Sequence, residues 1–215
     1  MRKVEKKYLI GIDLGGKEKK TTGICILQNK KLVLIKDVFG RDIIEVINPY
    51  LKNTQVIAID APLTKGQGKG KMRLYEKFLS TTIFRKEKVN PLPPALMPEL
   101  CNFAIELVGE LEKRGFILNL NLVETFPTLV EKICKKDFLL TNFVYRSRHQ
   151  KSALICAWVA LLHSQFKTCW LGYKDGFLFL PETSFWKENW RKKFYQSWEK
   201  RPRLKYHRLV SNIFK

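Results

Sequence analysis

The chain has 215 residues, of which 45% are hydrophobic, and its formal net charge is +20 because 40 Lys and Arg residues face 20 Asp and Glu residues. This composition predicts one large domain with a sizeable core. No apolar run reaches membrane-spanning length, and the N-terminus lacks the apolar region of a signal peptide, so we expect a cytoplasmic protein with no membrane partner. The five scattered cysteines form no CxxC pair, which argues against a disulfide framework or a structural zinc site.

Apolar runs in the first 60 residues predict four strands and a helix. The strands are predicted at 8–13, 22–27, 32–35 and 56–60. Short turns join the first three strands into an antiparallel meander. The helix is predicted over 43–51, where apolar residues recur at helical spacing before the fourth strand.

The following part of the chain alternates helical and strand patterns. Helices are predicted over 73–80, 99–113, 128–135 and 151–165, a fifth strand over 117–123, and a tight hairpin over 172–181. A meander followed by strands that are each reached through a helix gives a mixed five-stranded sheet, with three antiparallel and two parallel strands and helices on both faces. This is the ribonuclease H-like order of an α/β domain, predicted here to span residues 1–181.

Two acidic residues end predicted strands. Asp13 follows the first strand and Asp60 follows the fourth. A single strand-end Asp is ordinarily a turn or helix-capping residue. Two of them on neighbouring strands would repel each other and need a cation or a shared proton, and in this strand order we expect a cation, Mg²⁺ or Mn²⁺. Glu124, after the fifth strand, is a candidate third ligand.

Six short segments carry a resemblance to a known family. They are 11–13, 58–63, 72–79, 124–127, 149–157 and 178–181. In this order and spacing the chain resembles, over roughly residues 8–181, an uncharacterised family of predicted nucleases with a ribonuclease H-like fold. The resemblance implies that Asp13, Asp60 and Glu124 are the acidic positions of the site.

The last predicted helix departs from that family. The family pattern there resembles His-Glu-x-Asp-Ala, whereas this chain has Gln150 and Ser152 at the acidic positions. One expected carboxylate is therefore missing. His149 lies on the same helical face as Ser152 and Cys156, which suits a metal ligand or a general base. The alternative for His149 is a surface residue at the start of a basic helix.

Basic residues near these segments are candidate nucleic-acid contacts, since the net charge predicts nucleic acid as the partner. The candidates are Lys69, Lys71, Arg73, Arg146, Arg148, Lys151, Arg191 and Lys192. Arg73 is one helical turn from Glu76, so the two form either an exposed ion pair or a pair that holds the glycine-rich loop beside the site.

Residues 182–215 form a basic, aromatic C-terminal extension. Trp186, Trp190 and Phe194 recur at the spacing of one helical face, which predicts that they pack on the domain while the cations face solvent. Stacking of these aromatic residues on unpaired bases is the alternative.

These observations support three functions. The first is a metal-dependent nuclease that acts on DNA or RNA. The second is a nucleic-acid-binding protein with a degraded ribonuclease H-like site, because an acid is missing. The third is an actin-like ATPase or kinase-related phosphate binder, because Gly15 and Gly16 follow Asp13 as in a phosphate loop.

Overall fold

A five-stranded mixed sheet forms the centre of the computed structural model, which describes residues 7–66, 72–135, 143–200 and 208–214. Its strands are β1 (Tyr8–Asp13), β2 (Thr22–Gln28), β3 (Lys31–Val38), β4 (Thr54–Asp60) and β5 (Leu122–Glu124). They lie in the order β3-β2-β1-β4-β5. The first three pair antiparallel, whereas β4 pairs parallel with β1 and with β5. The predicted sheet of three antiparallel and two parallel strands is confirmed.

Helices cover both faces of this sheet. The helices of the described residues are α1 (Ile43–Leu51), α2 (Leu74–Leu79), α3 (Thr82–Lys86), α4 (Pro98–Glu112), α5 (Pro127–Ile133), α6 (Arg148–Ser164) and α7 (Glu188–Lys200). Because side chains alternate along β1, Ile10 and Ile12 pack with α1 and α4, whereas Leu9 packs with α6 on the other face. In the part of the chain that is described, no helix is both long and apolar enough to span a membrane.

The fifth strand is shorter than the sequence predicts. Only Leu122–Glu124 pair with β4, whereas residues 117–121 form a tight loop. In this loop Asn119 has a left-handed backbone with φ 66°, and the amide of Asn121 donates to the carbonyl oxygen of Ile117. The prediction of a strand over 117–123 is therefore wrong for its first five residues, because local turn hydrogen bonds take the place of the ladder.

Helix α6 lies very close to the sheet because glycines occupy the strand positions beneath it. A Cβ atom on Gly11 would lie 2.1 Å from both the carbonyl oxygen of Ala153 and the amide nitrogen of Ala157. A Cβ atom on Gly23 would lie 2.2 Å from the carbonyl oxygen of His149. Only glycine lets the helix backbone approach the strands so closely. The first turn of α6 is thereby held over the carboxyl end of β1.

The C-terminal part packs against the α6 side of the sheet. Its strands are β6 (Thr168–Tyr173), β7 (Gly176–Pro181) and β8 (Val210–Ser211), of which β6 and β7 form the predicted hairpin with a two-residue turn. The side chains of Trp186, Trp190 and Phe194 are buried. The Phe194 ring lies 4.9 Å from that of Phe84, so the aromatic residues of the extension pack inward, as their spacing predicts.

The substitution Gly11→Ala is expected to lower the free energy of unfolding by about 3 kcal/mol, because its methyl group would overlap the α6 backbone. Urea unfolding followed by circular dichroism measures the effect. Gly109→Ala is the matched control, since Gly109 lies in α4 with no atom within 4 Å of the added Cβ. That change should raise stability by roughly 0.5–1 kcal/mol. Equal effects of the two substitutions would contradict the close approach of α6.

Candidate metal site

Two carboxylates meet at the carboxyl ends of adjacent parallel strands. Asp13 ends β1 and Asp60 ends β4, and the register of the two strands pairs these residues with each other. Neighbouring strands are about 4.8 Å apart. Since paired residues of parallel strands point to the same face, both side chains lie on the α6 face. The juxtaposition expected from the strand ends is present, and we refer to these two residues as the aspartate pair.

Burial and mutual repulsion set the electrostatics of the aspartate pair. The pKa of Asp60 is raised well above its ordinary value, first by loss of hydration and then by the charges of Asp13 and Glu124. Burial also raises the pKa of Asp13, although His149 and Arg148 oppose this rise. Among the described residues, no ion pair involves Asp60. A cation at this edge would relieve the repulsion.

His149 is the side chain that α6 brings to the aspartate pair. Its Nδ1 lies 2.9 Å from Oδ2 of Asp13, and 40% of the His149 side chain is exposed. With a carboxylate as acceptor, Nδ1 carries the hydrogen, and Nε2 of the neutral ring is left able to accept a proton. Of the two interpretations that the sequence leaves open for His149, this contact favours a place in the site.

A hydrogen-bond network fixes the N-terminus of α6 to the sheet. Asp37, near the end of β3, accepts from Ser147 Oγ at 2.8 Å and from Gln150 Nε2 at 3.1 Å. Ser147 Oγ also accepts from the Gln150 amide at 3.0 Å, which caps the helix. Gln150 Oε1 accepts from the Arg146 amide at 2.9 Å. The sequence gives no signal for Asp37, because its partners lie more than 100 residues away.

A buried cluster of charges lies beside the aspartate pair. Arg73, which is 1% exposed, donates from its two terminal nitrogens to Glu124 at 2.6 and 2.8 Å and from Nε to Glu76 at 2.9 Å. Glu124 also accepts from the Tyr75 hydroxyl and from the Leu63 amide, the latter at 2.9 Å. Both oxygens of Glu124 therefore have protein donors.

This cluster changes the roles that the sequence predicts for two residues. Glu124 is predicted to bind metal and lines the same cavity as the aspartate pair, but both of its carboxylate oxygens accept from Arg73, Tyr75 or Leu63. Arg73 is predicted to contact a phosphate, but its guanidinium group is held by two buried carboxylates. We therefore assign both residues to the support of the site and include neither among its ligands.

A cavity of about 290 Å³ opens onto the aspartate pair. Asp13 and Asp60 are part of its lining, together with Arg73, Tyr75 and Glu124 from the buried cluster. Its apolar walls are formed by Leu14, Ala61, Pro62, Leu92, Met97, Leu100, Phe126 and Leu178. Apolar walls around a few convergent polar groups are typical of small-ligand sites.

The candidate nucleic-acid contacts are distributed around the molecule. Those that are exposed in the structure are Arg146, Arg148, Arg191 and Lys192. Arg146 and Arg148 flank the N-terminus of α6 and so lie beside His149, whereas the other two lie on α7. Lys151 forms an ion pair with Glu131. Lys69 and Lys71 lie outside the described residues.

The aspartate pair fits an open metal site better than a closed one. Within the described ranges, no group of three or more His, Cys, Asp and Glu side chains is arranged to hold a metal ion. Asp13 and Asp60 offer two carboxylates. Mg²⁺ is commonly held by one or two carboxylates and retains several water ligands, and Mn²⁺ favours the same oxygen ligands. The donor set is therefore compatible with either ion.

The buried cluster should be sensitive to the loss of its cation. Arg73→Met is expected to lower the free energy of unfolding by about 3–5 kcal/mol, because it leaves Glu76 and Glu124 buried without their partner. Chemical denaturation measures this loss. Arg114→Met is the matched control and should have little effect, since its ion pair with Glu110 is on the surface. Similar stability of the two variants would contradict the anchoring role of Arg73.

The aspartate pair should make stability depend on pH. Because the folded-state pKa of Asp60 is raised, the fold favours its neutral form, and stability declines as pH rises from the unfolded pKa through the folded one. Asp60→Asn should therefore raise Tm at pH 8 by about 2–4 °C, the shift expected for 1 kcal/mol in a domain of this size. Below about pH 4, where both states hold the proton, the difference should disappear. A variant that is less stable at pH 8 would refute the repulsion.

Comparisons of the chain with protein-family models, with curated proteins and with solved structures returned no match. No relative therefore supplies a function for the site. Its chemistry has to be argued from the geometry of the aspartate pair, His149 and the cavity.

Proposed function

We propose that the protein is a metal-dependent nuclease that hydrolyses phosphodiester bonds in DNA or RNA. The observation that carries the proposal is the pairing of Asp13 with Asp60 at adjacent strand ends, with His149 Nδ1 2.9 Å from Asp13. Carboxylates brought together in this way are suited to a divalent cation. The net charge of +20 favours a polyanionic substrate.

The strand order supports the same proposal by analogy. A meander of three antiparallel strands extended by two parallel ones, in the order β3-β2-β1-β4-β5, is the arrangement that we associate with a ribonuclease H-like fold. In that arrangement the ends of β1 and β4 are adjacent at one edge of the sheet. Fold analogy alone does not determine function, so the proposal depends on the residues at those ends.

Each residue of the site has a proposed role. Bound by the aspartate pair, Mg²⁺ or Mn²⁺ would acidify a water molecule and stabilise charge on the leaving oxygen. Asp13 and Asp60 would hold the ion, and the hydrogen bond to Asp13 orients the His149 ring. His149 Nε2 is then a base for the attacking water or an acid for the leaving group. The exposed Arg146 and Arg148 attract the phosphates that flank the scissile bond.

A second candidate is a nucleic-acid-binding protein without catalysis. Two observations favour it. Gln150 stands where the family has an acid and donates to Asp37. Both oxygens of Glu124 already accept from Arg73, Tyr75 or Leu63. With Glu124 engaged by protein donors, the aspartate pair would hold a cation less tightly than a site with three or four carboxylates. Such a protein would bind nucleic acid in a salt-dependent manner and leave it intact.

The phosphate-loop alternative lacks available donors. The amide of Gly15 donates to Thr22 Oγ1 at 3.0 Å, and the amide of Gly16 donates to Thr21 Oγ1 at 3.2 Å. A phosphate loop presents its backbone amides to the ligand. Because these two amides are already bonded within the turn, we do not pursue an ATPase or kinase-related function.

The nuclease proposal predicts metal-dependent cleavage that requires the site. Labelled single-stranded, duplex and branched DNA and RNA should be incubated with Mg²⁺ or Mn²⁺, and the products resolved on gels. We expect Asp13→Asn to reduce cleavage to background and His149→Ala to slow it by about 10²-fold or more. Glu112→Gln, a change in an exposed carboxylate at the C-terminal end of α4, which leads into the loop 117–121 at the other end of the sheet, should leave the rate unchanged.

The controls separate the two candidate functions. Cleavage by Asp13→Asn at the wild-type rate would refute the nuclease assignment to this site. If the wild-type protein does not cleave any substrate but binds with an affinity that falls steeply between 50 and 200 mM salt, as expected for many phosphate contacts, the binding function replaces the catalytic one.

A further inference from the structure

A second cleft, of about 560 Å³, lies at the opposite end of the sheet from the aspartate pair. It is formed by the start of β4, the loop 117–121, the end of α6 and the start of β6. Gln55 in its lining is five residues before Asp60 along β4, which corresponds to about 17 Å. The cleft is therefore separate from the candidate metal site.

The lining of this cleft combines aromatic rings with amide and hydroxyl groups. Its aromatic members are Phe166, Trp170 and Phe179, and its amide members are Gln55, Asn119, Asn121 and Asn212. Aromatic faces next to hydrogen-bonding groups are the combination with which proteins bind single unstacked bases. Of the three rings, Phe166 is exposed, Trp170 is half-buried and Phe179 is buried beneath them.

Phe166 is the most unusual residue of the cleft. It follows the end of α6 with φ 58°, and 95% of its surface is exposed. Its amide donates to His163 and the next amide, of Lys167, donates to Leu162, so Phe166 occupies the left-handed position of a Schellman motif. Glycine is the usual residue at this position, because a bulky side chain there is strained. Neither packing nor backbone conformation explains a phenylalanine here.

Two amides are oriented by the backbone. Asn121 Oδ1 accepts from the Ile117 amide, and Asn212 Oδ1 accepts from the Trp170 amide, each at 2.6 Å. These bonds leave the Nδ2 group of each side chain as a donor, and among the described residues neither Nδ2 makes a hydrogen bond. Fixed donors of this kind match the carbonyl and ring-nitrogen acceptors of a nucleobase.

From these features we infer that the cleft binds an unpaired base of single-stranded nucleic acid, with the base stacked on Phe166 and hydrogen-bonded to the asparagine amides. The exposed Lys167, next to Phe166, is positioned to contact a backbone phosphate of the same strand. The inference rests on the proposed function only in taking nucleic acid as the partner. It does not require cleavage.

The test is binding of 12-residue single-stranded DNA and RNA oligonucleotides that carry fluorescein, measured by anisotropy in EDTA so that cleavage does not occur. Phe166→Gly removes the ring and suits the left-handed backbone, so we expect unchanged or higher Tm and affinity reduced by about tenfold. Val33→Ala, at another exposed apolar residue, should bind like the wild type. An oligonucleotide with 2-aminopurine should be quenched by the wild type and not by Phe166→Gly.

A second variant tests the amides without changing the ring. Asn121→Asp keeps the acceptor for the Ile117 amide but replaces the Nδ2 donor, and it should weaken binding more than Asn189→Asp, which adds the same charge on α7. Wild-type affinity of both Phe166→Gly and Asn121→Asp would overturn the inference. So would a dimer in light scattering that Phe166→Gly converts to monomer, because Phe166 would then serve self-association.

The outcomes for the two sites are distinguishable. If the wild type cleaves nucleic acid with metal and Phe166→Gly binds oligonucleotides normally, the nuclease proposal stands and the cleft assignment fails. If Phe166→Gly loses binding while the wild type does not cleave with any metal, the cleft assignment stands and the nuclease proposal fails.

Discussion

The contact of the α6 backbone with β1 and β2 is the constraint on which the site depends. Gly11 and Gly23 have no Cβ, so the helix seats on the strands at a distance that no other residue would permit. This seating sets the position of the first helical turn, and hence of His149, relative to Asp13. The Asp37 network then fixes the direction of the helix end. The geometry of the candidate site therefore follows from backbone packing as well as from its charged side chains.

The buried cluster around Arg73 affects the electrostatics of the aspartate pair. Glu124 lies close enough to Asp60 to raise its pKa, so an unpaired charge there would increase the repulsion within the cavity. Arg73 pairs with both Glu124 and Glu76 through the planar fork of its guanidinium group, so that two carboxylates share one positive charge. Among the described residues, Asp13 and Asp60 form no ion pair with Arg or Lys, whereas the neighbouring acids serve to hold α2 against the sheet.

The sequence predicts the parts of this site that depend on a single strand or helix. Strand ends place Asp13 and Asp60, and helical periodicity places His149 on one face of α6. It does not predict properties that depend on the pairing of distant segments. Whether Glu124 is free to bind a cation is decided by its donors Arg73 and Tyr75, which lie about 50 residues away in the chain. The burial of Arg73 and the role of Asp37 likewise arise from contacts between segments that are far apart in the chain.

The opposition between the overall charge and the local charge limits what the cavity can bind. A net charge of +20 draws polyanions to the surface, although salt screens that attraction beyond about 8 Å. Inside the cavity a ligand meets Asp13 and Asp60, and negative charge on these residues repels a phosphate. In the proposed function, a cation between the phosphate and the aspartate pair would relieve this repulsion. The long-range field would then favour nucleic acid and the short-range site a divalent ion, as separate requirements, and neither one implies the other.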